Sequence, residues 1–100
     1  MQFLYHFAAG DRPDLATDPA AWTPDDEQIG SAHFQRLQQA AADGIVILAG
    51  RSSDGVGPAV VIFEADAEED ARAFMEADPF VSSGLFRASL HPFRAAVMRG

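Results

Sequence analysis

Among the titratable side chains of this 100-residue chain, His33 and Asp78 are the two best suited to moving a proton. His33 interrupts a stripe of Ile29, Leu37, Ala40 and Ala41, flanked by Phe34, whose steps of three and four mark one face of a helix. An imidazole on such a face meets either a packed core or a cavity, and burial disfavours its charged form unless an acceptor compensates. Asp78 stands directly before Pro79-Phe80, where a second helix must stop. A carboxylate there could take the Nδ1 proton of His33, set the tautomer and leave Nε2 as a general acid or base. Each residue also has a plainer reading. A lone histidine on an apolar face is commonly a satisfied core residue, and Asp-Pro commonly starts a turn in which the carboxylate bonds the amides of Phe80 or Val81.

Other groups fit around this pair. Arg51 could hold a carboxylate or phenolate through two parallel hydrogen bonds, although a solvated loop arginine is the commoner case. Tyr5 and Ser83 could supply hydroxyls to a small substrate and Phe80 an aromatic wall; Ser52-Ser53 and Ser82 are also consistent with ordinary turn composition. His6 and His91 fall on the first and last strands, which are neighbours in the sheet expected below. With His33 they suggest a metal, but no His-x-x-x-His pair or clustered carboxylates accompany them, so neither metal nor cofactor is expected.

Composition narrows the chemistry. Fifteen acidic residues against seven arginines give a net charge of -8, which opposes nucleic-acid backbones and anionic membrane surfaces. The absence of lysine excludes Schiff-base and P-loop chemistry. The absence of cysteine excludes thiol catalysis, iron–sulfur clusters and disulfides. No apolar run approaches the ~18 residues of a membrane span, and Met1 leads into a strand-like segment instead of a signal sequence, so a cytoplasmic location is expected. A chain of this length suits one domain over residues 1–100, with any large cavity shared with a partner subunit.

The elements that would position these residues can be read in order. Residues 2–8 are short and aromatic-rich, a strand whose faces alternate Phe3, Tyr5, Phe7 with Leu4, His6, Ala8. Residues 9–22 contain Gly10, Pro13 and Pro19 without a period, a long loop able to act as a lid, ending at the anchor Trp22. Thr23-Pro24-Asp25-Asp26 starts a helix and Asp43-Gly44 stops it, giving residues 24–43. Residues 45–50 form a buried apolar strand, 51–58 a hairpin-like return and 59–64 a third strand. Asp66, with Glu69 three residues on, caps a second helix ending at Asp78, since the residue before proline leaves the α region. Residues 86–97 are a fourth strand, with Pro92 confined to an edge, bulge or end.

This order, β-α-β-β-α-β, predicts an α+β ferredoxin-like sandwich: a four-stranded antiparallel sheet with two helices on one face. Its other face would then be apolar and exposed, and an identical sheet is the simplest cover, so a homodimer is expected.

Several of these segments together resemble a known family. Ser31-Ala32-His33-Phe34-Gln35-Arg36-Leu37, Asp43-Gly44, Ala49-Gly50, Ala77-Asp78-Pro79-Phe80-Val81, Gly84-Leu85-Phe86 and His91-Pro92-Phe93 are similar to the YciI-like (YCII-related) proteins. The resemblance runs from Phe3 to about Phe93. It implies a dimeric α/β barrel, with a pocket around the helix histidine and the aspartate of Asp-Pro-aromatic, here His33 and Asp78. It also implies dehydrochlorination of a chlorinated hydroxyquinol as one chemistry of the family. The chain departs from the pattern at Gly50-Arg51, where Gly-Pro is familiar, and at His91, where another basic residue is frequent. Two functions follow. One is a cofactor-independent isomerase or lyase acting on a small cyclic or aromatic substrate; the other is a non-catalytic homodimeric binding module whose His33 and Asp78 merely satisfy each other.

Overall fold

Alternation along the first strand decides which face of the sheet is buried. In the computed structural model, which describes residues 1–100, β1 (Gln2–Ala9) buries Phe3 and Tyr5 completely on one face. The remaining elements are α1 (Pro24–Ala42), β2 (Val46–Arg51), β3 (Ala59–Glu64), α2 (Glu68–Glu76), the single turn α3 (Pro79–Ser82) and β4 (Phe86–Phe93). The sheet order is β2-β3-β1-β4 with every neighbour antiparallel. Helices α1 and α2 lie on the face of Phe3, Tyr5, Val61 and Phe63, and Leu37, Ala40, Ala71 and Met75 complete that core. Tyr5, Phe63 and Phe74 pack ring against ring, with Phe63 and Phe74 centroids 4.7 Å apart. Burying a side chain of this size contributes about 1.5–3 kcal/mol. The architecture is the ferredoxin-like α+β sandwich expected from the element order.

Helix α1 has the ends its sequence specifies. Thr23 Oγ1 accepts from the Asp26 amide and the Asp26 carboxylate accepts from the Thr23 amide, a reciprocal capping box. At the other end Gly44 takes a φ of +81°, a left-handed conformation that favours glycine. Asp26 has a second task. Arg12 grips it with two parallel hydrogen bonds of 3.0 and 2.7 Å and also donates to the Ala21 carbonyl, fastening the segment that follows β1.

Five differences from the sequence reading have physical causes. The segment after β1 is not irregular throughout: it makes two 3-10 turns, Pro13–Ala16 and Pro19–Ala21, each with proline at its start. The second helix starts at Glu68 with Ala67 as its N-cap and no side-chain cap bond, so Asp66 lies one residue outside; the acids Glu68, Glu69 and Asp70 still occupy the first turn, where the helix dipole favours them. It ends at Glu76, and the extended Asp78 (φ -60°, ψ 127°) opens the separate turn α3. Strand β2 is an edge rather than a buried strand, with only Val46 buried and Ile47 and Leu48 exposed. Strand β4 is the other edge, which accommodates Pro92, and stops at Phe93 because its partner β1 begins at the paired residue Gln2.

The loop clamp yields a pH prediction. Hydrogen bonds from Arg12, and then the Thr23 amide, hold the Asp26 carboxyl at about 2, below the ordinary aspartate value of about 3.9. Because the folded value lies below the unfolded one, this stabilisation is complete above about pH 4 and disappears as the pH falls toward about 2. Thermal denaturation should show the melting temperature falling through that window, and Asp26→Asn should melt lower at neutral pH with a shallower acid loss.

Candidate functional site

The site is assembled around the break between α2 and α3. Pro79 forces Asp78 out of the helical conformation, and the Asp78 side chain turns back to accept the Phe80 amide at 3.0 Å. The same oxygen, Oδ1, lies 2.7 Å from His33 Nδ1, while Oδ2 accepts the Tyr5 hydroxyl at 2.7 Å. One oxygen of Asp78 thus caps its own turn and meets the His33 imidazole. Asp78 has no exposed surface. Burial alone would raise its pKa, but the bonds from His33 and Tyr5, with help from the Phe80 amide, outweigh that penalty and hold the carboxyl below the usual range. An ionised carboxylate only accepts, so Nδ1 of His33 carries its proton toward Asp78. The Tyr5 phenol is pushed well above its ordinary value by burial and by the neighbouring Asp78 charge, and it stays a donor.

Orientation of the ring follows from this bond and from stacking. Phe80 lies against the imidazole at a centroid distance of 3.9 Å and 21° between planes, and Phe7 meets it edge-on at 5.7 Å. With Nδ1 engaged, the opposite nitrogen, Nε2, makes no hydrogen bond within the chain, and it is not a buried atom: Nη1 of Arg36 is the only buried polar side-chain atom without a partner. His33 lines a cavity of about 630 Å³ between α1 and the β2–β3 edge, with Phe7, Phe34, Leu37, Val46, Val61 and Phe80 among its apolar walls. That volume lies within the ~300–1,000 Å³ of small-molecule sites. Gly30 forms part of the wall, and a Cβ there would come within 3.3 Å of the Trp22 ring, so glycine lets Trp22 and Phe80 approach the helix.

The sequence-predicted residues divide clearly. His33, Phe80 and Arg51 line the cavity, and Arg51 is its only arginine, with no aspartate or glutamate among the lining residues. Tyr5 is fully buried and reaches the site through Asp78 instead of lining the cavity. Ser83 is not brought to the cavity. It ends α3 on the outer side of α1, where its hydroxyl accepts the Leu85 amide at 3.3 Å. Phe7 and Phe34 also line the cavity, and Phe7 is foreshadowed in the sequence only by sharing its strand face with Tyr5. His6 and His91 do meet on the helix-free sheet face, Nε2 to Nε2 at 3.3 Å, but His33 is not with them, and no group of three metal-binding side chains occurs. No helix is long and apolar enough to cross a membrane.

These features define an α+β, ferredoxin-like protein with a buried carboxylate–imidazole pair beside an apolar cavity. The chain belongs to the YCII-related domain family, whose model matches residues 4–93. Its fold is also similar to that of 5-chloro-2-hydroxyhydroquinone dehydrochlorinase from Burkholderia phenoliruptrix AC1100, solved in complex with 2,5-dihydroxybenzoquinone, with a TM-score of 0.66 and 22% identity over 94% of each chain. A comparison with curated proteins finds no match.

Removing the Tyr5 hydroxyl would leave one oxygen of a fully buried carboxylate without its donor. Tyr5→Phe should therefore cost about 1–3 kcal/mol in denaturant unfolding. Ser83→Ala, away from the cavity, should change stability by no more than about 0.5 kcal/mol.

Proposed function

We propose that this protein is a small, cofactor-independent enzyme in which His33, held by Asp78, transfers a proton on a cyclic or aromatic substrate. One observation carries the reading: Nδ1 of His33 is tied to a buried carboxylate while Nε2 is unpartnered and accessible in a helix residue that lines an apolar cavity. In an elimination, Nε2 accepts the substrate proton, the electron pair left behind forms the new double bond, and a leaving group such as chloride departs with its own pair. In an isomerisation the same nitrogen returns the proton at another atom. Asp78 stabilises the imidazolium formed in between and keeps the tautomer correct for the next cycle. Arg51, the one arginine of the cavity, holds the phenolate or carboxylate oxygen, and Phe80 provides a stacking surface. The fold neighbour's dehydrochlorination and its bound 2,5-dihydroxybenzoquinone suggest hydroxylated quinones and chlorinated hydroquinones as first ligands.

The working form is a homodimer through the sheet face without helices. Leu4, Val60 and Ile62 lie on that face in register, none of them fully buried, and Leu48 beside Ile62 is 56% exposed. A second copy is the simplest cover for this apolar surface.

Two measurements test these statements. With 5-chloro-2-hydroxyhydroquinone as substrate, chloride release should fall about 10²–10⁴-fold in His33→Gln, and Arg51→Met should act mainly on KM. Turnover in His33→Gln within a few-fold of the unaltered protein would contradict the role given to His33. Sedimentation should show a dimer that Ile62→Asp converts to monomer; an unaltered protein that is monomeric at high concentration would refute the dimer.

A further inference from the structure

The segment joining β1 to α1 is held more firmly than a connection of that length requires. Leu15 is buried, Trp22 Nε1 donates to the Leu15 carbonyl at 2.7 Å, and Arg12 is clamped on Asp26. Across from it stands the β2–β3 turn. Gly55, with a φ of +76°, brings that turn close to the segment: a Cβ at Gly55 would lie 3.5 Å from the Ala16 carbonyl oxygen. Between the two lies a second cavity of about 290 Å³, walled by Leu15, Trp22, Val56 and Phe86. It shares Phe7, Arg51, Ala59 and Phe80 with the His33 cavity, so the two adjoin along a common wall and Arg51 stands at their junction.

Charge at that junction is one-sided. None of the ion pairs of the chain involves Arg51, and no aspartate or glutamate lines either cavity. The nearby acid Asp54 is occupied within its own turn, where it accepts the Ser52 hydroxyl and the amides of Val56 and Gly57. An apolar lobe beyond an unpaired cation suits a molecule with an anionic group in the middle and an apolar end.

We propose that the second cavity receives an apolar tail of the substrate. The ligand class is a cyclic or aromatic anion whose charged oxygen meets Arg51, whose ring lies beside His33 and whose short alkyl or aryl substituent fills the space under Leu15 and Trp22. The placement of the ring rests on the proton-transfer reading above; the tail pocket does not depend on any turnover. Each methylene moved from water into such a lobe should tighten binding about fourfold until the space is full.

The test uses 2,5-dihydroxybenzoquinone and its methyl, propyl and pentyl derivatives, titrated into the full chain while the indole N–H resonance of Trp22, the only tryptophan, and the imidazole resonances of His33 are followed by NMR. Affinity should climb with chain length, with the Trp22 signal moving only for the longer chains. Ala16→Phe, which fills the lobe from an exposed position, and Val56→Asn, which makes its wall polar without adding charge, should each abolish the gain from the chain and leave binding of the unsubstituted quinone unchanged. If all four compounds bind equally and Trp22 stays silent, the tail pocket is wrong while the site at His33 stands. If Trp22 moves with chain length while His33 stays silent, the placement of the ring falls and the tail pocket stands; if neither signal moves, both fall.

Discussion

The Asp78 carboxylate is the group on which the rest of the site depends. It is fully buried, and a buried charge persists only when its oxygens are satisfied. Three donors meet it: the hydroxyl of Tyr5 from β1, the imidazole of His33 from α1 and the Phe80 amide from the turn that Asp78 itself begins. One carboxylate therefore ties the central strand, the long helix and the α2–α3 break to one another. Removing any one donor leaves that charge only partly compensated at a site with no exposed surface. Because the carboxylate can only accept, the network also determines which nitrogen of His33 keeps a proton and which is left without a partner.

The cavity is a consequence of where that network stops. Toward β4 the interior is closed by Phe7, Phe80 and Phe86, packed edge to face, and by Trp22 tilted against Phe80 and Phe86, at centroid distances of 4.9–6.2 Å. Toward β2 nothing equivalent fills the space. That strand is an edge, its Ala49 and Gly50 are small, and Ile47 and Leu48 remain exposed. The helix α1 bridges this gap with His33, Leu37 and Ala41 along its inner side. A sheet of four strands with a long helix over its open edge thus leaves room for a ligand without a large domain to enclose it.

Much of this was legible in the sequence because it is local. Thr23-Pro24 and Gly44 bound the first helix, the steps of three and four turned His33 inward beside Leu37 and Ala40, and Asp78-Pro79 marked the place where a carboxylate would stand at a helix end. What was misread depends on tertiary context. An apolar run such as Val46–Leu48 looks the same whether its strand is central or at an edge. Tyr5 is separated from Asp78 by 73 positions, so its hydroxyl bond follows from strand order and no pattern near Tyr5 announces it. Ser83 shows the reverse error: closeness in sequence to Asp78 did not place it in the cavity, because one turn of helix carries it to the outer surface. The Arg12–Asp26 clamp joins a loop to a helix start, and neither residue type alone distinguishes it from solvated charge.

In the proposed site Asp78 holds His33 in the tautomer that presents an unprotonated Nε2 to the cavity. This arrangement is tested most directly by the 15N resonances of the neutral His33 imidazole, with and without 2,5-dihydroxybenzoquinone, in the unaltered protein and in Asp78→Asn. The expected result is a protonated Nδ1 and a bare Nε2, an Nε2 resonance that moves when the quinone binds, and loss of this tautomer preference in the variant. A neutral ring protonated at Nε2, or an Nε2 resonance indifferent both to the quinone and to Asp78→Asn, would contradict it.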